Sequence, residues 1–210
     1  MLLFLKQTTA INATLIASSG PLWGLLLGWA FFGAPGSRSA WLGGALSLLG
    51  VLCVLAGGEL ERLLMLRLAW GDLLMLLAIM VWGLYSWVLR RHRPAASSVS
   101  FLLAQTIWGL VLMQPLVAVE WLGGSLVLTP VWQTAAVIFW VGLGPSLLAY
   151  WCWDQGVAHA GPLLPMFFSN LTPLFTALMS AWLLGEMPRP YHAVAFVCIV
   201  GGIFLSNRRA

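Results

Sequence analysis

The feature that most constrains this chain is a series of long apolar runs separated by short polar breaks. Seven such runs fall roughly at residues 10–32, 40–57, 72–89, 101–121, 134–153, 163–184 and 192–205. A helix needs about 20 apolar residues, or about 17 when upright, to cross the hydrocarbon core of a bilayer. The breaks carry turn chemistry: Gly33-Ala34-Pro35-Gly36-Ser37-Arg38, Arg90-Arg91-His92-Arg93-Pro94, Gly123-Gly124-Ser125, Gly161-Pro162 and Met187-Pro188-Arg189-Pro190. An ordinary soluble domain carries about a quarter charged residues. Here 8% are charged and 61% hydrophobic, with a mean hydropathy of +0.94. So few charges cannot cover a water-facing surface, and the expected class is an all-α integral membrane protein of about seven transmembrane helices. The 13 tryptophans agree, since indoles sit well at the headgroup boundary.

In such a chain the net charge of +4 reports orientation rather than a nucleic-acid partner. With the C-terminus inside, the cytoplasmic set holds Arg38, Arg90, Arg91, Arg93, Arg208 and Arg209. The opposite side holds Lys6, Arg62, Arg67 and Arg189, with Glu59, Glu61, Asp72, Glu120 and Glu186. The dense Arg90–Arg93 cluster favours this assignment, and seven spans then put the N-terminus outside. Cys53, Cys152 and Cys198 fall within apolar runs and read as small buried side chains, with neither metal-ligand spacing nor a disulfide framework. No cofactor is expected. The apolar stretch 1–5 is too short for a signal-peptide core and has no basic region before it, so the chain is expected to start inside a helix.

An internal repeat is visible. Pro21 and Pro173, Gly33 and Gly185, and Gly50 and Gly202 are each 152 positions apart (173−21, 185−33, 202−50). Leu22/Leu174 and Leu26/Leu178 match at the same offset, and Gly20, Gly24 and Gly28 align with Thr172, Thr176 and Ser180. Both copies thus present a small-xxx-small face, which lets helix backbones approach closely where lipid supplies no hydrophobic drive. Five spans separate the copies, so they are expected to run in opposite directions, as in the inverted repeats of secondary transporters.

The stretch Asn170-Leu171-Thr172-Pro173 through Leu184-Gly185-Glu186, followed by an apolar helix that ends at Arg208-Arg209, resembles the closing helix pair of the EamA-type drug/metabolite transporters. Trp70-Gly71-Asp72, with Trp82 and Tyr85 following, is similar to the start of the second EamA unit. Tyr150-Trp151-Cys152-Trp153-Asp154, then Gly156-Val157 and Gly161, is similar to its third helix and turn. The resemblance implies a ten-helix inverted-repeat (5+5) fold with a central cavity. It also implies that small organic metabolites or drugs are exported across the bacterial inner membrane by alternating access. Residues 69–210 correspond to a complete second repeat of five helices. Residues 1–68 resemble only the end of the third helix and the fourth and fifth helices of the first repeat, and Ala34 stands where the second copy has Glu186. The expectation is therefore an N-terminally truncated member. Its partners would be the lipid bilayer and an unidentified solute, with a homodimer or the missing N-terminal helices completing the cavity.

Charged groups deep in a bilayer are costly and are functional suspects by default. Asp154 shares a helix face with Tyr150 and Trp153. It either binds a substrate amine or changes protonation in the transport cycle, or else sits solvated at the cytoplasmic end of its span. His159 is expected in a short polar turn, Glu186 at an interfacial helix end, and Asp72 in a first turn favoured by the helix dipole. The uncharged substrate candidates are Gln105 and Trp108, three apart on one helix, with Gln114 further along, and Asn170 with Thr172 beside the Pro173 kink. The same polar groups also serve as glue between helices. Pro21, Pro173, Gly24, Gly28, Thr176, Ser180, Gly185 and Glu186 are assigned structural roles. The aromatics Trp82, Tyr85, Trp87, Trp140, Tyr150, Trp151 and Trp153 would stack on a solute or line the membrane belt.

Rival functions fare less well. A rhodopsin-like photoreceptor needs a Schiff-base lysine in its last helix, and Lys6 is the only lysine. An intramembrane enzyme needs paired carboxylates, a Ser/His set or a His-rich cluster within the spans, and none is present. A non-transporting remnant or partner subunit stays open as the alternative.

Overall fold

Serine and glycine caps mark several of the helix ends. In the computed structural model, residues 10–57, 61, 69–92, 97–123, 131–184 and 189–207 are described. They form α1 (Ala10–Ser18), α2 (Gly20–Phe32), α3 (Arg38–Ala56), α4 (Trp70–Arg91) and α5 (Ser98–Leu122). Next come α6 (Trp132–Val141), a π-helical segment (Gly142–Leu148), α7 (Ala149–Ala160), α8 (Leu163–Ser169), α9 (Thr172–Leu184) and α10 (Pro190–Ser206). Ser37 caps α3 by accepting from the Ala40 amide at 3.1 Å, and Ser97 caps α5 through Ser100 at 3.1 Å. Gly33 and Gly57 close α2 and α3 in the left-handed region, which glycine enters without steric cost.

Five helical segments are long and apolar enough to cross a membrane, and a sixth qualifies if α1 and α2 count as one bent span. The last apolar run forms α10, a shorter helix of 17 residues. The fifth run is longer than its sequence reading of 134–153. Its helix runs from Trp132 to Ala160, continuous through the π-helical segment. Asp154 and His159 therefore lie on helix. His159 is not in a turn; its Nδ1 meets the Gln155 carbonyl one turn back at 2.8 Å.

Two helices are broken, each just before a proline. α1 and α2 meet at Ser19 with a bend of 41°, and α8 and α9 separate at Asn170-Leu171. Pro21 and Pro173 have no N–H to give the carbonyl four residues earlier, which weakens the helix at those points. The breaks stand at equivalent positions of the sequence repeat (171−19 = 152).

The tightest packing is between α3 and α10, which cross antiparallel. A Cβ on Gly202 would stand 2.5 Å from the Gly43 carbonyl oxygen, and one on Gly50 would stand 2.8 Å from the Ala195 carbonyl oxygen. Gly50 and Gly202, matched in the repeat, thus do the same work from opposite sides of one crossing. Val51, Phe167, Leu174, Ala195, Ile199 and Ile203 form the core around it. α2 packs on α4 and α8. There Gly24 faces Met166 and Gly28 makes room for the Trp87 ring. The Trp87 indole donates to the Gly24 carbonyl at 2.8 Å. α4 also packs on α7, and α7 on α5. α5 and α6 bury none of their residues.

Candidate functional site

Asp154 lies in the middle of α7 and is 9% exposed. A bare carboxylate there would be costly, and neighbouring helices supply its partners. The Tyr85 hydroxyl on α4 donates to Oδ1 at 2.7 Å, and the Gln105 amide on α5 donates to Oδ2 at 3.2 Å. Three helices thus meet at one charge. The solvated-end reading of Asp154 does not hold, because α7 continues beyond it and α4 and α5 close over it. Arg90 donates to the Ala158 carbonyl one turn further on, placing a cation at the C-terminal end of α7, where the helix dipole favours it.

The Tyr85 hydroxyl also stands 3.1 Å from Gln105 Oε1. A phenol has one proton, and the shorter contact to a charged oxygen holds it. The Gln105 carbonyl therefore keeps lone pairs for another donor. Gln105, Thr106, Gly109, Met113, Ser146 and Tyr150 line a half-open cavity of about 330 Å³ beside it. Ser146 belongs to the π-helical segment, where the Ala149 amide reaches back to the Gly144 carbonyl. That segment carries Pro145 and two glycines, and it widens the helix beside the cavity.

An aromatic wall adjoins the carboxylate. The Trp82 ring lies 4.9 Å from Trp153 and 5.4 Å from Tyr85, and meets Tyr150 edge-on at 5.4 Å. The wall is fixed from behind, for Trp153 Nε1 donates to Ser86 Oγ at 3.1 Å and Ser86 donates to the Trp82 carbonyl at 2.9 Å. A carboxylate next to π faces suits a group that is cationic at one end and apolar at the other. Among the described residues no group of three or more His, Cys, Asp or Glu could hold a metal ion.

Of the sequence candidates, Gln105, Tyr150, Trp153 and Asp154 come together here. Trp108 does not. Three residues beyond Gln105 is about 60° around a helix, so Gln105 turns toward α7 while Trp108 is 65% exposed on the outside of α5. Gln114 is also exposed and bonds to its own helix at Leu110. Asn170 lies elsewhere. It is 1% exposed, and its Nδ2 donates to Ser47 Oγ on α3 at 2.9 Å. Asp72 does sit in the first turn of α4, accepting from the Ala69 amide at 2.7 Å and from the Asn12 side chain at 2.8 Å. Gly24 and Gly28 are buried, whereas Thr176 is exposed and Ser180 half-buried, so only the first copy packs its small face. Gly185 and Glu186 lie outside the described residues. The sequence reading named Tyr85 as a motif residue and an aromatic, not as a partner of Asp154, and missed Ser86. Both belong to a stripe on α4, Trp82-Tyr85-Ser86-Leu89, whose i, i+3, i+4, i+7 spacing marks an inward face.

Apolar helices of crossing length around a buried, liganded carboxylate and a polar cavity define a multi-pass helical membrane protein. The model of the EamA-like transporter family matches residues 69–208, and the chain belongs to that family. It is 24% identical to an uncharacterized transporter of Archaeoglobus fulgidus, over 99% of this chain and 70% of that protein. It is 26% identical to the uncharacterized transporter YdfC of Bacillus subtilis, over 94% of this chain and 62% of that one. A crystal structure shares the fold with a TM-score of 0.73 at 22% identity, covering 97% of this chain and 68% of the other. The chain is thus a membrane transporter by family, and it spans about two thirds of the length of the proteins it matches.

Proposed function

We propose that this chain exports a small organic metabolite or drug across the bacterial inner membrane by alternating access, with its C-terminus in the cytoplasm. Asp154 is the solute-binding group, Tyr85 and Gln105 hold it, and Trp82, Tyr150 and Trp153 supply the apolar wall. The observation that carries this reading is the convergence of α4, α5 and α7 on one buried carboxylate beside a 330 Å³ cavity. Binding of a solute at the carboxylate accounts for the cost of burying that charge.

The architecture proposed is an inverted repeat within a ten-helix, 5+5 fold. Residues 1–68 supply the end of the third helix and the fourth and fifth helices of one unit, and 69–210 supply the other unit. Support comes from the matched helix breaks at Ser19 and Leu171 and from the equivalent duties of Gly50 and Gly202. The open side of the Asp154 cavity favours a second reading, in which further N-terminal helices or a second copy of the chain complete the wall. Cross-linking in nanodiscs separates a homodimer from a monomer.

The test is retention of fluorescent organic solutes, cationic and neutral, by bacterial cells expressing the chain. Expression should lower retention of at least one amine-bearing solute. Asp154→Asn should abolish that effect at equal membrane abundance, while Trp108→Leu should preserve it. Retention equal to that of empty-vector cells for every solute would instead favour the non-transporting remnant or partner subunit.

A further inference from the structure

The 152-residue offset also matches two grooves, one between α2 and α3 and the other between α9 and α10. They are filled differently. In the first, Leu25 and Trp41 meet over Gly36, where an added Cβ would stand 2.7 Å from Leu25 and 3.1 Å from the Trp41 indole nitrogen. Gly44 lets Leu22 lie close against α3, since a Cβ there would stand 2.7 Å from it. The second copy has Ala193 for Trp41 (193−41 = 152), Ala177 for Leu25 (177−25 = 152) and Phe196 for Gly44 (196−44 = 152). Two fillers are thus cut back to methyl groups, and a ring replaces the glycine that let the helices close. What remains is a half-open cavity of about 480 Å³ lined by Leu174, Ala177, Leu178, Ala193 and Phe196, with Arg189 and His192 at one end. Leu178 and its mate Leu26 are both exposed, so both grooves open onto the apolar outer surface.

The end of the second groove has changed in charge as well. Arg189 and His192 stand where the first copy has Ser37 and Ala40 (189−37 = 152, 192−40 = 152). The Arg189 amide donates to His192 Nδ1 at 3.0 Å, nearer than the carbonyl of the same residue at 3.2 Å. The neutral ring therefore carries its proton on Nε2, a second donor alongside the guanidinium. Among the described residues no acidic side chain lines the cavity. Both donors sit at the start of α10, the end of a helix that favours an anion.

We propose that the α9–α10 groove seats one acidic phospholipid, its phosphate on Arg189 and His192 and an acyl chain in the space that Trp41 and Leu25 fill in the first copy. Side chains close the first groove, so the matching space has the width of a ring or a polymethylene chain and not of a helix, which is about 10 Å across. Arginine grips a phosphate through paired N–H donors, and basic pockets between membrane helices bind acidic headgroups. A phosphatidylcholine headgroup would bring its own cation against Arg189. The groove is separate from the Asp154 cavity and does not depend on which solute binds there.

The test is native mass spectrometry of the full chain purified in detergent and titrated with dioleoylphosphatidylglycerol or dioleoylphosphatidylcholine. The wild type should retain one phosphatidylglycerol with a preference of about fivefold over phosphatidylcholine, the effect of one basic residue at an anionic membrane surface. Arg189→Gln should erase that preference and leave phosphatidylcholine retention unchanged. Ala193→Trp, which restores the ring of the first copy, should lose both lipids at an unfolding midpoint no lower than that of the lipid-free wild type. Arg189 and Ala193 are both exposed, so both variants should fold. Equal retention of the two lipids by the wild type would overturn the proposal, as would wild-type retention by Ala193→Trp. An unchanged preference in Arg189→Gln would overturn it by placing the lipid elsewhere on the basic surface. Full displacement of the lipid by inorganic phosphate would also overturn it, in favour of a plain anion site.

Discussion

The α3–α10 crossing and the α5–α6 arm are equally apolar to the eye, yet they behave as opposites. At the crossing, glycines bring two backbones so close that any side chain would strike a carbonyl oxygen. On the arm nothing is buried, and a Cβ added at Gly109, or at Gly142 and Gly144 in the π-helical segment that follows, would meet nothing within 4 Å. Lipid is as apolar as leucine, so hydrophobicity alone does not bring membrane helices together; close packing and polar contacts do. The crossing has the first, with the Asn170–Ser47 bond beside it. The arm is held to the rest through Gln105 and Gln155. It keeps its cavity open for the same reason.

Substitutions should break or sharpen this contrast. The largest effect is expected at the crossing. Gly202→Val forces its Cβ into the Gly43 carbonyl and should cost about 3 kcal/mol or more, read as loss of folded protein by size exclusion and thermal unfolding. Ser47→Ala leaves the buried Asn170 amide unpaired and should cost about 2 kcal/mol. A double-mutant cycle with Asn170→Ala should then recover most of that loss. Tyr85→Phe removes the donor to Asp154, a charge-assisted bond worth about 1.5 kcal/mol, and should slow solute efflux about tenfold with little change in abundance. Trp87→Phe loses the bond to the Gly24 carbonyl and should lower stability by about 1 kcal/mol. The smallest effect belongs to the arm, where Gly109→Ala should change stability by about 0.5 kcal/mol or less, or stabilise through helix propensity. A large loss at Gly109 would mean that the arm is covered in the membrane.

Much of this was legible in residue order. The kink at Pro173 was legible from its missing N–H, and the 152-residue offset paired that proline with Pro21, but the break at Ser19 was not. Gly50 and Gly202 were visible as a matched pair, but not as the two sides of one crossing. Tyr150, Trp153 and Asp154 read as one face because i, i+3 and i+4 are local geometry. Gln105 reaches Asp154 and Trp108 does not for one reason: a helix period places two residues on nearby azimuths without saying which of them a neighbour will cover. The second copy's small face, through Thr176 and Ser180, resembled the first in sequence and yet did not pack like it.

What the sequence determined by itself is the membrane setting, the helical runs, their breaks and their duplicated pattern. These follow from hydropathy and from proline and glycine chemistry, which act within a few residues. Only the tertiary structure decided that Tyr85, Gln105 and Asp154 meet, across separations of 69 and 49 residues. It alone decided that Asn170 reaches Ser47 across 123. Contacts of that range depend on which helix faces come together, and in lipid that choice rests on a few small and polar side chains rather than on the apolar pattern that fills most of the chain.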